Sequence, residues 1–150
     1  MPRIKTVRHA ASAAGIVVSG RHAPLPRKAV EAAAARVLAA EGRPARLSIT
    51  FLGARRMQAL NEAWKGAARP TDVLAFALAE PSGDLLGDIY ICPWVAAREA
   101  RALGIPLRRE LLRLVVHGVL HVLGYDHPEG AGRLTSSMWR RQERYLRGLR

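Results

Sequence analysis

One segment constrains the fold more than any other: His117-Gly118-Val119-Leu120-His121-Val122-Leu123-Gly124-Tyr125-Asp126-His127. The stretch leading into it (Leu111, Leu112, Leu114, Val115, Val116, then Val119, Leu120, Val122 and Leu123) is apolar almost all round a helix. Such a helix belongs in the centre of a domain. Pro106 opens it, and Glu110 lies in the first turn, where a carboxylate complements the helix dipole. At about 100° and 1.5 Å per residue, His117 and His121 share one face, roughly 40° and 6 Å apart. His127 lies out of reach of that pair if the helix continues. Gly124 offers the exit, because glycine accepts the left-handed conformation that ends a helix and lets the chain turn back.

Of the five histidines in the chain, three fall in the pattern His-x-x-x-His-x-x-Gly-x-x-His, so the pattern is a candidate metal site. Three imidazole nitrogens at about 2.0–2.1 Å from one zinc ion leave a tetrahedral position open to water, as in catalytic rather than structural sites. His117, His121 and His127 are therefore the expected ligands of one zinc ion. The spacing is that of the metzincin proteases, but Gly118 stands where those enzymes carry the glutamate general base. That substitution turns the reading away from proteolysis, with a metzincin-like peptidase kept as an alternative.

A chain of 150 residues with 49% hydrophobic content implies one folded domain with a real core. Its single cysteine, Cys92, excludes an internal disulfide framework and a cysteine-rich zinc site, and fits a reducing, cytoplasmic setting. The longest apolar stretch, Leu114 to Leu123, is too short to span a membrane and carries two histidines. Arg3, Lys5 and Arg8 precede a soft Ala/Ser/Gly/Val run without a closing small-x-small site, so this start does not read as a secretory leader. The net charge of +12 suggests a polyanionic partner such as RNA, although an arginine-rich composition produces the same charge without one. Arg140, Arg141, Arg144, Arg147 and Arg150 spread around a C-terminal helix, as a solvated face or a phosphate track.

Strands are expected at Ile16 to Val18, Arg46 to Leu52, Asp72 to Leu78 and Leu86 to Cys92, from β-branched runs and alternation. Helices are expected at Arg27 to Glu41, Arg55 to Trp64 and Trp94 to Leu103, each stopped by a glycine, and at roughly Leu134 to Leu146. The result is an α+β fold, a small mixed sheet packed with several helices around the central histidine helix. Asp72, Asp88 and Asp126 each have two readings, a structural carboxylate that caps a turn or pairs with a nearby arginine, or a partner that orients a metal-bound imidazole. Lys65, and Arg69 in the irregular stretch 66–71, either meet a phosphate or are solvated.

These residues resemble the YbeY family of bacterial endoribonucleases and rRNA maturation factors, whose motif reads His-Gly-x-Leu-His-Leu-x-Gly-Tyr-Asp-His. Val122 is a mild variant of it. Asn61, Trp64-Lys65-Gly66, Pro70-Thr71-Asp72-Val73-Leu74-Ala75-Phe76 and Gly87-Asp88-Ile89 follow in the family's order, and Met138 and Glu143 match a looser pattern. The resemblance covers roughly residues 16–146. It implies a zinc-dependent hydrolase that cuts single-stranded RNA, taking part in 16S rRNA 3′-end maturation on the small ribosomal subunit and in ribosome quality control. It also implies catalytic roles at His117 and at position 65. Family members usually carry arginine there, and lysine keeps the charge but loses the planar fork that grips a phosphate bidentately. Arg69 is a possible substitute, and the family's usual serine is Ala75 here. A non-enzymatic ribosome-assembly factor with a structural zinc is the remaining alternative.

Overall fold

Strand-forming runs of β-branched and aromatic residues pair into one mixed sheet, in a computed structural model that describes residues 15–20 and 24–149. Its strands are β1 (Ile16–Ser19), β2 (Arg46–Phe51), β3 (Val73–Ala79) and β4 (Leu85–Ile91), in the order β1-β2-β4-β3. The first three neighbours in that order run parallel, and β3 pairs antiparallel with β4 to form an edge. Helices α1 (Arg27–Glu41), α2 (Ala54–Lys65), α3 (Pro93–Leu103), α4 (Leu107–Val122) and α5 (Ser137–Arg147) complete a single α+β domain, as the sequence implies.

Alternation divides the sheet into two faces. Ile16, Val18, Leu47, Ile49, Phe51, Ile89 and Ile91 point to one, where they form the main core with α1, α4 and α5. Leu74 and Tyr90 point to the other, where Met57 of α2 and Cys92 complete a smaller cluster. Helix α4 is buried over most of its length, as its all-round apolar surface requires.

Two glycines set how closely α4 approaches the sheet. A Cβ at Gly118 would lie 2.7 Å from Ile89 Cγ2, and one at Gly87 would lie 2.6 Å from Val122 Cγ1. Gly118 is therefore a packing residue. Any side chain at that position requires Ile89 or the helix to shift, so the close approach disfavours a glutamate there.

The last helix begins at Ser137, three residues later than the apolar pattern suggests. Ser136 caps it by accepting from the Trp139 N–H (3.1 Å), while Gly130 and Gly132 take positive φ in the turns before it. Leu134 is solvent-exposed in that turn and takes no part in the helix's apolar face. The N-terminal segment before residue 15, and Arg150, lie outside the described residues. Among the described residues, no helix is long and apolar enough to cross a membrane.

Candidate metal centre

His117 and His121 project from the last turns of α4, and the helix ends as Gly124 suggested. Gly124 adopts φ +100°, its N–H donates to the His121 carbonyl (3.0 Å), and the Tyr125 N–H donates to the Leu120 carbonyl (3.0 Å). This paired 6→1 and 5→2 arrangement is a Schellman cap, which turns the chain back beside its own helix. The Arg43 guanidinium donates to the Leu123 carbonyl and further satisfies that end.

Beyond the cap the chain is held from two sides. Tyr125 Oη donates to Glu41 Oε2 (3.2 Å) at the end of α1, and the Arg141 guanidinium lies over the Tyr125 ring. Asp126 Oδ1 accepts from the His127 N–H (2.8 Å), the turn-cap reading of this aspartate. The same carboxylate is close enough to act electrostatically on His121. His127 is thereby returned to the other two histidines. The candidate ligand atoms of His117, His121 and His127 all lie within 4.8 Å of one another.

The hydrogen bonds suit these rings to hold a divalent ion. His117 Nδ1 lies 2.6 Å from Gln142 Oε1, and His127 Nδ1 lies 3.1 Å from the Pro128 carbonyl oxygen. An acceptor at Nδ1 requires the proton there, which leaves the Nε2 lone pair free as a ligand. Gln142 is itself oriented, because its Nε2 donates to Glu143 Oε1 (3.2 Å) while Arg113 Nε donates to the same oxygen (2.8 Å). Arg113 also pairs with buried Glu110. A chain of polar contacts thus runs from Glu110 through Arg113, Glu143 and Gln142 to the imidazole.

Burial pushes His117 down to about 4, with His121, His127 and Arg133 adding to the effect against the Gln142 hydrogen bond. Burial and His127 lower His121 as well, against Asp126 and the Tyr125 backbone. Both rings are therefore neutral near pH 7, as metal ligation requires. The donor set fits a borderline-soft divalent ion such as zinc.

The histidines open onto a cleft of about 330 Å³ that runs along β3 and is lined also by Lys65, Thr71, Asp126 and Arg133. Lys65 reaches it from the last turn of α2, which Gly66 closes in the left-handed conformation. Asn61 Nδ2 donates to the Arg69 carbonyl (2.8 Å) and shapes the following loop, but the Arg69 side chain is not part of the cleft wall. Asp72 caps the start of β3 by accepting from the Val73 N–H (2.8 Å). Asp88 sits on the opposite sheet face, paired in register with Phe76 and away from the histidines, so it does not orient them. There burial raises its carboxyl, and its charge adds to the burial that pushes Tyr90 up to about 12. Of the C-terminal arginines, Arg141 is bound to Glu41 (3.1 Å) and Arg140 donates to the Thr135 carbonyl (2.7 Å). These contacts favour a structural surface over a phosphate track.

The family described as Endoribonuclease YbeY matches residues 18–150. The chain belongs to the YbeY family. A YbeY endoribonuclease from an Anaeromyxobacter species is 50% identical over 101 residues, which are 65% of this chain and 53% of that protein. One from Moorella thermoacetica is 44% identical over 129 residues, 79% of this chain and 80% of that protein. The match to the Anaeromyxobacter relative, like that to one from Bifidobacterium animalis (56%), spans little more than half of the relative's length. The solution structure of TM1509 from Thermotoga maritima superposes with a TM-score of 0.62 at 29% identity, covering 87% of this chain and 86% of that one.

Gln142 and Arg133 were not singled out from the sequence, yet one touches a candidate ligand and the other lines the YbeY cleft. Gln142 stands between Met138 and Glu143, the two α5 residues that carry part of the YbeY resemblance, and this adjacency was its only sequence signal.

Proposed function

We propose that the protein is a zinc-dependent endoribonuclease that cuts single-stranded RNA, acting in the cytoplasm in 16S rRNA 3′-end maturation and in ribosome quality control. The observation that carries this reading is the convergence of three imidazoles on one cleft in a chain of the YbeY family. His117, His121 and His127 are the proposed ligands of one zinc ion. A zinc ion held there would supply Lewis-acid polarisation of a phosphoryl oxygen and a lowered pKa for bound water.

The chain's own groups do the rest. His117 and His127 keep their Nδ1 protons engaged with Gln142 and Pro128, so both present Nε2 to the ion. Lys65 contributes a positive charge at the cleft for the RNA backbone. The net charge of +12 draws a polyanion toward the protein from a distance, which suits an rRNA precursor and the small ribosomal subunit as partners. The peptidase alternative is disfavoured by Gly118, since a glutamate there would collide with Ile89.

The reading is tested with a 16S rRNA precursor carrying its 3′ extension, incubated with zinc-loaded protein, with chelator-treated protein and with His117→Ala. Cleavage in the first sample alone is the expected result. A precursor left uncut, or cut equally by His117→Ala, would overturn the catalytic reading, and retained RNA binding without cleavage would favour an assembly factor.

A further inference from the structure

We propose that Arg133, in the turn before α5, grips the phosphodiester of bound RNA against the three-histidine centre and supplies the guanidinium fork that Lys65 lacks. This deepens the endoribonuclease reading and rests on it. Arg133 lines the same cleft as His117, His121, His127 and Lys65. Arg133 is half-buried, and its Nε is buried without a hydrogen-bond partner, so that N–H has left water without a protein acceptor. A buried N–H of this kind is costly unless something accepts from it.

The other arginine beside Trp139 shows the contrast. Arg113 and Arg133 both place their guanidinium carbons 5.8 Å from the Trp139 ring. Arg113 is neutralised by Glu110 and Glu143, whereas among the described residues no ion pair involves Arg133. Glu129 also lines the cleft but is solvent-exposed and makes no such pair with it. Trp139 gives the Arg133 guanidinium a flat surface to rest on, which limits the rotamer freedom lost when a ligand binds.

Lys65 enters the cleft from the last turn of α2, and Arg133 from the turn before α5. An anion seated in the cleft would meet cations supplied by two separate elements. A phosphodiester supplies two non-bridging oxygens in the geometry that a guanidinium binds bidentately. This recovers at position 133, from another element, the group the sequence lacks at position 65.

The test uses zinc-loaded full-length protein and a short fluorescent single-stranded RNA, with Arg133→Ala, Arg133→Lys and His121→Ala compared to wild type. Removing one phosphate contact lowers the slope of log affinity against log salt by about 0.7 for a single strand. Arg133→Ala is expected to lose that much slope and about a hundredfold in kcat/KM, while Arg133→Lys regains the slope but under a tenth of the rate. Its melting temperature should stay within about 2 °C of wild type, as for a residue outside the core. Unchanged slope and rate in Arg133→Ala would overturn the assignment, as would full recovery of kcat/KM in Arg133→Lys. If Arg133→Ala melts early, Arg133→Lys alone decides, since a merely structural cation would restore rate together with stability. A wild-type protein that binds the RNA without cutting it, like His121→Ala, overturns the endoribonuclease reading, and the salt slope then judges Arg133 by itself.

Discussion

Replacing Gln142 with leucine removes the acceptor that fixes His117 while keeping the side chain's size. Gln142 is fully buried and its Oε1 lies 2.6 Å from His117 Nδ1, so no solvent is positioned to take its place. The lost bond leaves a buried imidazole N–H unsatisfied, at a cost of about 1–3 kcal/mol in the metal-free protein. It also frees the imidazole to carry its proton on Nε2, the nitrogen needed by the metal. Loss of a partner of this kind lowers metal affinity by about 10- to 100-fold. The stability loss is read from urea unfolding of stripped protein, and the affinity from zinc competition against a chromophoric chelator. Leu146→Ala serves as the control, because Leu146 anchors the same helix in the main core but has no polar atom to offer His117. It should destabilise α5 and leave zinc affinity within about threefold of wild type, as expected for sites that share no partner. Wild-type zinc affinity in Gln142→Leu would refute the reasoning, and so would an equal loss in Leu146→Ala.

Three further outcomes follow from the packing and electrostatics. Gly118→Ala puts a Cβ 2.7 Å from Ile89 Cγ2; after a helix-propensity gain of about 1 kcal/mol, a net loss of about 1–2 kcal/mol is expected. A double-mutant cycle with Ile89→Ala should show about 1 kcal/mol or more of favourable coupling, and additive effects would contradict the close-approach explanation. In the metal-free protein, His117 holds its proton less tightly folded (about 4) than unfolded (6.5), so the unfolded chain protonates first as pH falls. Stability is then present above pH 6.5 and falls by roughly 3 kcal/mol on acidification to about pH 4, with His121 acting in the same direction; unfolding free energies that stay flat across this window would count against the buried neutral imidazole. Lys65→Ala should lower kcat/KM on RNA by about tenfold or more, and Lys65→Arg should match or exceed wild type because it restores a bidentate fork; a wild-type rate in Lys65→Ala would remove Lys65 from the reaction.

Much of this arrangement could be read from local pattern. Helix α4 was legible because its apolar surface runs all round, and its end because Gly124 is followed by a third histidine at a spacing only a reversal can use. The four strands were legible from β-branched runs and alternation, with differences of one residue at their ends. The start of α5 was not, because Leu134 looks like part of an apolar face until Ser136 is seen to cap the helix. Gln142 lies 25 residues from His117, and only the docking of α5 against α4 brings them together. Gly118 read as a missing catalytic group because the sequence does not say that Ile89 crosses beneath it. Arg133 was hidden among many arginines, and its distinguishing mark is a buried, unpartnered Nε, which exists only in three dimensions.

The most direct measurement is the RNA-cleaving activity of metal-stripped protein titrated with zinc, plotted against equivalents of zinc per chain. The expected curve starts at no cleavage, rises, and breaks at one equivalent, because His117, His121 and His127 form a single cluster. His121→Ala should stay flat across the same titration. Full activity in stripped protein, or cleavage by His121→Ala that matches wild type, would contradict the metal centre as the seat of the reaction.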